Sequence, residues 1–255
     1  MDSGAPIQVI CAGFIKTGNS SLKKAMEMLY KEKCYYLSDV VEKNTFKEWK
    51  NFIEAYKKNG NFDKVKFETL LDNCKYAADL PVSIMIEEII KTYPNVKVVV
   101  SLKDFDKWLV DIRKDILPKK MVSSISNYLA RSWLSPVKKL DDFIGFCLTT
   151  TFGRVDLTDD KILSDMHLEH IKRIQSVVPN DRLFKYDPED GWEPLCNFLQ
   201  TEEPRKLFPF ENKKEDISIY YNQLNSRASK VTLIVRIFFI IAVAALAVLL
   251  HKNLS

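Results

Sequence analysis

The chain is predicted to be an α/β protein, with a parallel sheet covered by helices on both faces. Three observations predict this. Short apolar, β-branched runs at 7–14 and 96–102 have the length and composition of buried parallel strands, and 182–187 reads as a third strand. Segments with apolar residues at helical spacing lie between them. Strands that alternate with helices are joined most simply by crossover connections, which place helices on both sides of the sheet.

Taken in order, "IQVICAGF" (7–14) is the first strand, bounded by Gly13 and Gly18. Leu22, Ala25, Met26 and Leu29 then fall on one helical face, with Asn19, Ser20 or Ser21 as candidate caps. "KCYYLSDV" (33–40) is a candidate second strand. "FKEWKNFIEAY" (46–56) is a helix that Gly60 ends. "PVSIMIEEIIKTY" (81–93) is another, with Pro81 in its first turn. Pro94-Asn95 separates it from the strand "VKVVVSL" (96–102). Helices follow at 106–116 and 162–178, with the stretch 119–158 read as helical with loops. "RLFKYD" (182–187) is the last strand and "GWEPLCNFLQ" (191–200) a short helix.

Composition narrows the function. Of 255 residues, 38 are basic and 34 acidic, a net charge of +4. This is too mild, and too evenly spread, for a nucleic-acid partner, but it suits a small anionic ligand. The five cysteines (Cys11, Cys34, Cys74, Cys147, Cys196) are scattered and form no C-x-x-C pair, so they read as reduced thiols, and no metal site is expected. No secretory leader is expected, because the apolar run from Ile7 breaks at Lys16. Residues 231–250, "VTLIVRIFFIIAVAALAVLL", carry one charge, Arg236. About 20 such residues suffice for a helix to cross the ~30 Å hydrocarbon core. Arg227, Lys230 and Arg236 outnumber Lys252 across the block, which keeps the large domain cytosolic. The expected organisation is a domain at 1–212, a polar linker at 213–230, a transmembrane tail anchor at 231–250 and a short tail at 251–255. The endoplasmic reticulum is favoured over the mitochondrial outer membrane.

The stretch "AGFIKTGNSSLKKAM" (12–26) carries the chemistry. A glycine loop between a strand and a helix gathers backbone N–H groups and the positive end of the helix dipole at one point. Gly13 and Gly18 have the Gly-x-x-x-x-Gly spacing of a phosphate-binding loop, but Asn19 stands where an ATP-binding loop places lysine. The lysine, Lys16, lies inside the loop. Four readings are weighed: a structural turn, an ATP or GTP site, a dinucleotide fold, and a loop whose basic residue is internal. A dinucleotide fold lacks its Gly-x-Gly-x-x-Gly.

The fourth pattern resembles the 5′-phosphosulfate loop of sulfotransferases. "GFIKTGNSSL" is similar to the Gly-Phe-Pro-Arg-Thr-Gly-Thr-x-Ser-Leu loop of one branch. "DLPVSIMIEEIIKTYPNVKVVVSLKDFDKW" (79–108), "VVPNDRLFKYDPEDGWEPLCNFL" (177–199) and "FPFEN" (208–212) resemble further segments of that branch in the same order. The resemblance spans about residues 7–212. It implies a P-loop NTPase-like three-layer fold. It also implies sulfuryl transfer from 3′-phosphoadenosine 5′-phosphosulfate (PAPS) to an oxygen or nitrogen of a small or lipophilic acceptor, without a metal. By resemblance, Lys16 lies against the 5′-phosphate and the bridging oxygen. Gly13, Thr17, Gly18, Asn19, Ser20 and Ser21 complete the cradle, through backbone amides at 17–19 and the hydroxyls of Ser20 and Ser21. Asp79 is a candidate base for the acceptor, or else a cap before Pro81. His170 is a second candidate base, or else a structural histidine.

The chain departs from the family pattern at named positions. Ile15 replaces a proline, Asn19 a threonine and Phe105 a proline. Lys103 replaces the arginine expected at the 3′-phosphate, and Asp111 replaces a serine there. Lysine keeps the charge but not the bidentate fork. Asp111 either opposes the phosphate or pairs with Lys107 at i, i+4 and points away. These departures admit a second function class, a catalytically inactive family member acting as a membrane-anchored binding or scaffold protein.

Overall fold

A computed structural model of the chain describes residues 7–115, 136–153, 156 and 159–210, together with 233, 234 and 237. Among the described residues, five parallel strands form one sheet: β1 (Val9–Cys11), β2 (Cys34–Tyr35), β3 (Tyr76–Ala78), β4 (Lys97–Ser101) and β5 (Leu183–Tyr186). Their order is β2-β3-β1-β4-β5. In register, Ile10 of β1 stands beside Ala77 of β3 and Val98 of β4, and Val98 stands beside Leu183 of β5.

The side-chain period of two divides each strand between two cores. Ile10, Tyr35, Ala77, Val98 and Val100 join the larger one. Val9, Cys11, Cys34, Tyr76, Ala78 and Val99 join the other. The helices of the described residues are α1 (Asn19–Tyr30), α2 (Leu37–Lys43), α3 (Phe46–Asn59), α4 (Lys64–Leu70), α5 (Ile86–Thr92), α6 (Phe105–Asp115), α7 (Pro136–Phe152), α8 (Asp160–Val177) and α9 (Trp192–Leu199). Leu22, Ala25 and Met26 of α1 and Trp192, Leu195 and Leu199 of α9 cover the smaller core. Residues of α3, α5, α6, α7 and α8 cover the larger. The result is the three-layer α/β arrangement that the sequence predicts.

Several elements differ from expectation, each for a local reason. The strand expected at 33–40 is only Cys34–Tyr35. The Asp39 carboxylate accepts the Tyr36 amide at 2.8 Å and opens α2 in its place. Strand β3 is absent from the sequence reading because "YAA" is too short and too weakly apolar to register, yet it fills the gap between β1 and β2. The helix expected at 81–93 begins as a 3₁₀ turn (Val82–Met85), and Pro81 precedes that turn rather than filling it. Helix α4, also unexpected, starts where Asp63 accepts the Lys66 amide at 3.0 Å. Within 119–158 the structure gives α7, and 116–135 lies outside the described residues. All five cysteines are free, and burial pushes the Cys11 thiol up to about 12.

The linker at 213–230 and nearly all of the apolar block at 231–250 also lie outside the described residues. Among the described residues, no helix is long and apolar enough to cross a membrane.

Trp49 of α3 is fully buried, and its Nε1–H donates to the Tyr35 hydroxyl at 2.8 Å, joining α3 to β2. Removing a large buried ring leaves a cavity that neighbours fill only in part. Trp49→Ala is expected to lower unfolding stability by about 3–5 kcal/mol. The change in urea midpoint at constant m-value measures this, and a loss under about 1 kcal/mol would contradict the role given to Trp49.

Candidate functional site

The site begins where β1 ends. The Ala12 amide donates to the Val99 carbonyl at 2.8 Å, carrying the β1–β4 ladder one residue past the strand. The chain then turns through 13–18 into α1. Gly13 is there because nothing larger fits: a Cβ would lie 1.8 Å from Ser101 Oγ and 2.5 Å from both Thr17 Oγ1 and Asn19 Oδ1. Gly18 is there for conformation as well as space. Its φ is 107°, and a Cβ would lie 2.7 Å from Pro188 Cγ.

Polar groups fill the inside of this turn. Asn19 Nδ2 donates to the carbonyls of Gly13 (2.9 Å) and Phe14 (3.1 Å). Ser101 Oγ donates to Asn19 Oδ1 at 3.1 Å and lies 2.8 Å from Thr17 Oγ1. The Thr17 hydroxyl donates to Phe14 O at 2.7 Å, and the Thr17 amide reaches the same oxygen at 3.2 Å. Trp108 Nε1–H donates to Ile15 O at 2.6 Å and pins the outer strand of the turn. The loop is thus fastened to the end of β4 and to α6.

Helix α1 starts at Asn19 with Gly18 as its N-cap, no side-chain cap and no acidic residue in its first turn. Its positive end therefore meets no carboxylate from its own first turn. A cavity of about 280 Å³ opens there. Thr17, Gly18 and Ser21 line it on the loop side. Leu102, Lys103, Asp104 and Lys107 line it from the segment after β4, and Asp187, Pro188 and Glu189 from the segment after β5. Phe210, 57 % exposed, lies at its margin. These are the carboxyl ends of strands on either side of the point where the strand order reverses, the place where open α/β sheets bind ligands.

Of the residues singled out in the sequence, Thr17, Gly18, Ser21 and Lys103 meet at this cavity. Gly13 and Asn19 stand behind it and shape the loop. Lys16 and Ser20 are each 7 % exposed and lie beside the lining, with Lys16 in the left-handed conformation (φ 66°). The Thr17 amide is turned inward to Phe14 O rather than toward a ligand. Asp79 follows β3, is also left-handed (φ 66°) and is 2 % exposed. Its amide donates to Cys11 O, its carbonyl accepts from Ser83 and its Oδ1 accepts from the Leu80 amide at 2.8 Å. These bonds tie the end of β3 to β1 and to the turn that follows, outside the cavity lining.

His170 is placed differently from a base. It is fully buried, and its Nε2 lies 2.8 Å from Ala12 O, which can only accept, so the proton sits on Nε2. Its ring packs 5.1 Å from that of Phe14. Burial pushes it down to about 4. The role that fits is support of the loop from below.

Asp111 also departs from expectation. It does not pair with Lys107 and turn away. Its Oδ2 lies 2.6 Å from Lys103 Nζ. Lys107 and Asp111 share a face of α6 at i, i+4. That face borders the cavity, so Asp111 is within reach of Lys103 as the chain leaves β4. Arg113, further along α6, pairs with Asp160 of α8.

Ser101, Trp108 and Pro188 are missed by sequence reasoning. Ser101 had a signal, since it is a lone hydroxyl that follows three valines in the strand. Pro188 had none, because its contact with Gly18 depends on how β5 returns to the sheet.

Residues 8–217 match the family model described as "Sulfotransferase domain", and the chain belongs to that family. It is 26 % identical over 216 residues to "Ava biosynthesis cluster protein M" from Aspergillus versicolor, with 80 % of each chain covered.

The buried histidine has a consequence for acid stability. As pH falls below His170's ordinary value of 6.5, the unfolded chain takes up a proton that the folded one refuses until about 4. The stability due to neutral His170 is therefore full above pH 6.5 and drains away between 6.5 and about 4, by up to about 3 kcal/mol. His170→Gln can keep the hydrogen bond to Ala12 O but does not titrate. Urea midpoints of both proteins at pH 7.5, 5.5 and 4.5 should show a clearly smaller acid loss in the variant. Parallel losses would remove His170 as the cause.

Proposed function

We propose that the protein moves a sulfuryl group from PAPS to a nucleophilic acceptor, with the 5′-phosphosulfate seated on the 13–18 loop. The observation that carries this reading is the uncapped, acid-free start of α1, opening on a cavity that Thr17, Gly18 and Ser21 line. Family membership supports the reaction class.

The step breaks the bond between sulfur and the bridging oxygen of the donor, and forms one between sulfur and the acceptor atom. The electron pair of the broken bond leaves on the 5′-phosphate. Catalysis then consists of placing positive charge where that negative charge grows. Lys16, the amides of Gly18 and Asn19, and the hydroxyls of Ser20 and Ser21 take this role. The Asn19 side chain, bonded to Gly13 O and Phe14 O, keeps the turn in shape. In this reading the acceptor's proton passes to solvent, Asp79 holds the turn after β3, and His170 holds the loop.

The named relative takes its name from a biosynthesis cluster, which supports a small-molecule acceptor. Residues 231–250 serve as a tail anchor that keeps the domain on the cytosolic face of a membrane, with the endoplasmic reticulum preferred. An acceptor drawn from the bilayer suits that placement. The ion pair on Lys103 favours a second reading, a family member that binds at the membrane without catalysis.

Calorimetric titration of the full chain in mild detergent with adenosine 3′,5′-bisphosphate, the product nucleotide, tests the proposal. Micromolar binding, about −8 kcal/mol, is expected, and Lys16→Ala should weaken it at least tenfold. Transfer of radiolabelled sulfate from PAPS to a panel of hydroxylated acceptors should fall with it. Binding without any transfer would select the inactive reading. No binding by a folded chain would reject both donor-site readings.

A further inference from the structure

The cavity is electrically lopsided. On the loop side it meets the start of α1, where the first turn carries no acid. On the other side the lining holds Lys103 and Lys107 against Asp104, Asp187 and Glu189. Two of these carboxylates are built in. Asp104 Oδ1 accepts the amides of Asp106 and Lys107 at 3.1 Å each, at the start of α6. Asp187 Oδ1 accepts the Glu189 amide at 3.0 Å. They cannot swing away to admit an anion without uncapping the turns they start.

Lys103 is committed too. Its ammonium lies 2.6 Å from Asp111 Oδ2, and the two side chains are only 22 % and 31 % exposed, so solvent screens the pair weakly. A phosphate arriving at Lys103 must displace Asp111 or sit beside its charge. Either way much of the attraction of the lysine is cancelled. An anion on the loop meets no such competitor from the first turn of α1.

From this we infer that Asp111 withdraws Lys103 from ligand binding, so that the site holds a nucleoside 5′-phosphate as tightly without a second phosphate as with one. The inference rests on the donor-site reading above and widens it. Donors carrying a single phosphate, such as adenosine 5′-phosphosulfate, then fall within range alongside PAPS. Asp111 is the residue that sets this breadth, and it acts on the ligand through Lys103.

Competition titrations of the full chain with adenosine 5′-phosphate and adenosine 3′,5′-bisphosphate test it, at one fixed ionic strength. In the natural protein the two affinities should agree within about threefold. Asp111→Asn and Asp111→Ser should each tighten the bisphosphate at least tenfold and shift the monophosphate by less than threefold. Adding Lys103→Gln to Asp111→Asn should abolish the gain, which a merely structural role for Asp111 does not predict. A natural protein that prefers the bisphosphate tenfold or more overturns the inference and leaves the donor-site reading standing. Equal affinities that neither Asp111 variant changes overturn the role of Asp111. If neither nucleotide binds a chain with a normal unfolding midpoint, the donor-site reading falls, and this inference falls with it.

Discussion

The contact on which the site depends is the approach of the β1–α1 loop to the end of β4, where Gly13 leaves no room for a Cβ beside Ser101. Such an approach removes water from several polar groups, and each must find a partner in the protein. Asn19, Thr17 and Ser101 supply those partners to one another and to the carbonyls of Gly13 and Phe14. A loop closed in this way keeps its shape without a bound ligand. Preorganisation of that kind lets the amides at the start of α1 meet charge without first rearranging. Trp108 and His170 extend the same constraint outward, one to Ile15 O and the other to Ala12 O.

The sheet sets what else reaches the loop. Because β4 is the immediate neighbour of β1 and β5 lies next to β4, the segments after those strands arrive at the same end of the sheet. They bring lysines and carboxylates together, and two of the carboxylates serve as caps of the turns that follow. The electrostatics of the cavity are thus partly a by-product of ending strands and starting helices in a small space. Asp111 is different. It caps nothing at the start of α6, and the partner it holds is Lys103.

Much of the fold was legible in the sequence because the signals were local and strong. The runs at 7–14 and 96–102 are apolar enough to be buried strands wherever they pair, whereas 182–187 sets Leu183, Phe184 and Tyr186 among charged residues and forms the edge strand β5. The face of α1 that carries Leu22, Ala25 and Met26 is readable from spacing alone, and all three are fully buried. Strand β3 was not legible. "YAA" is a strand only because β1 and β2 flank it. The second half of 33–40 failed for the opposite reason: a single carboxylate, Asp39, outweighed β-favouring residues by starting a helix.

By itself the sequence determined a strand, a glycine loop and a helix N-terminus in immediate succession, with a lysine inside the loop. These follow from neighbours along the chain, where steric limits and hydrogen-bond capacity act over a few residues. Only the tertiary structure decided what faces that loop. Ser101 lies 82 residues from Asn19 in sequence and 3.1 Å away in space. Pro188 closes on Gly18 through the return of β5. The sequence offered Lys107 as the partner of Asp111, because helical spacing makes i, i+4 neighbours. The fold chose Lys103, since a side chain leaving a strand end can reach back over the first turns of the helix that follows. Charge pairing depends on distance through space, and distance through space is settled only when the strands have found their order.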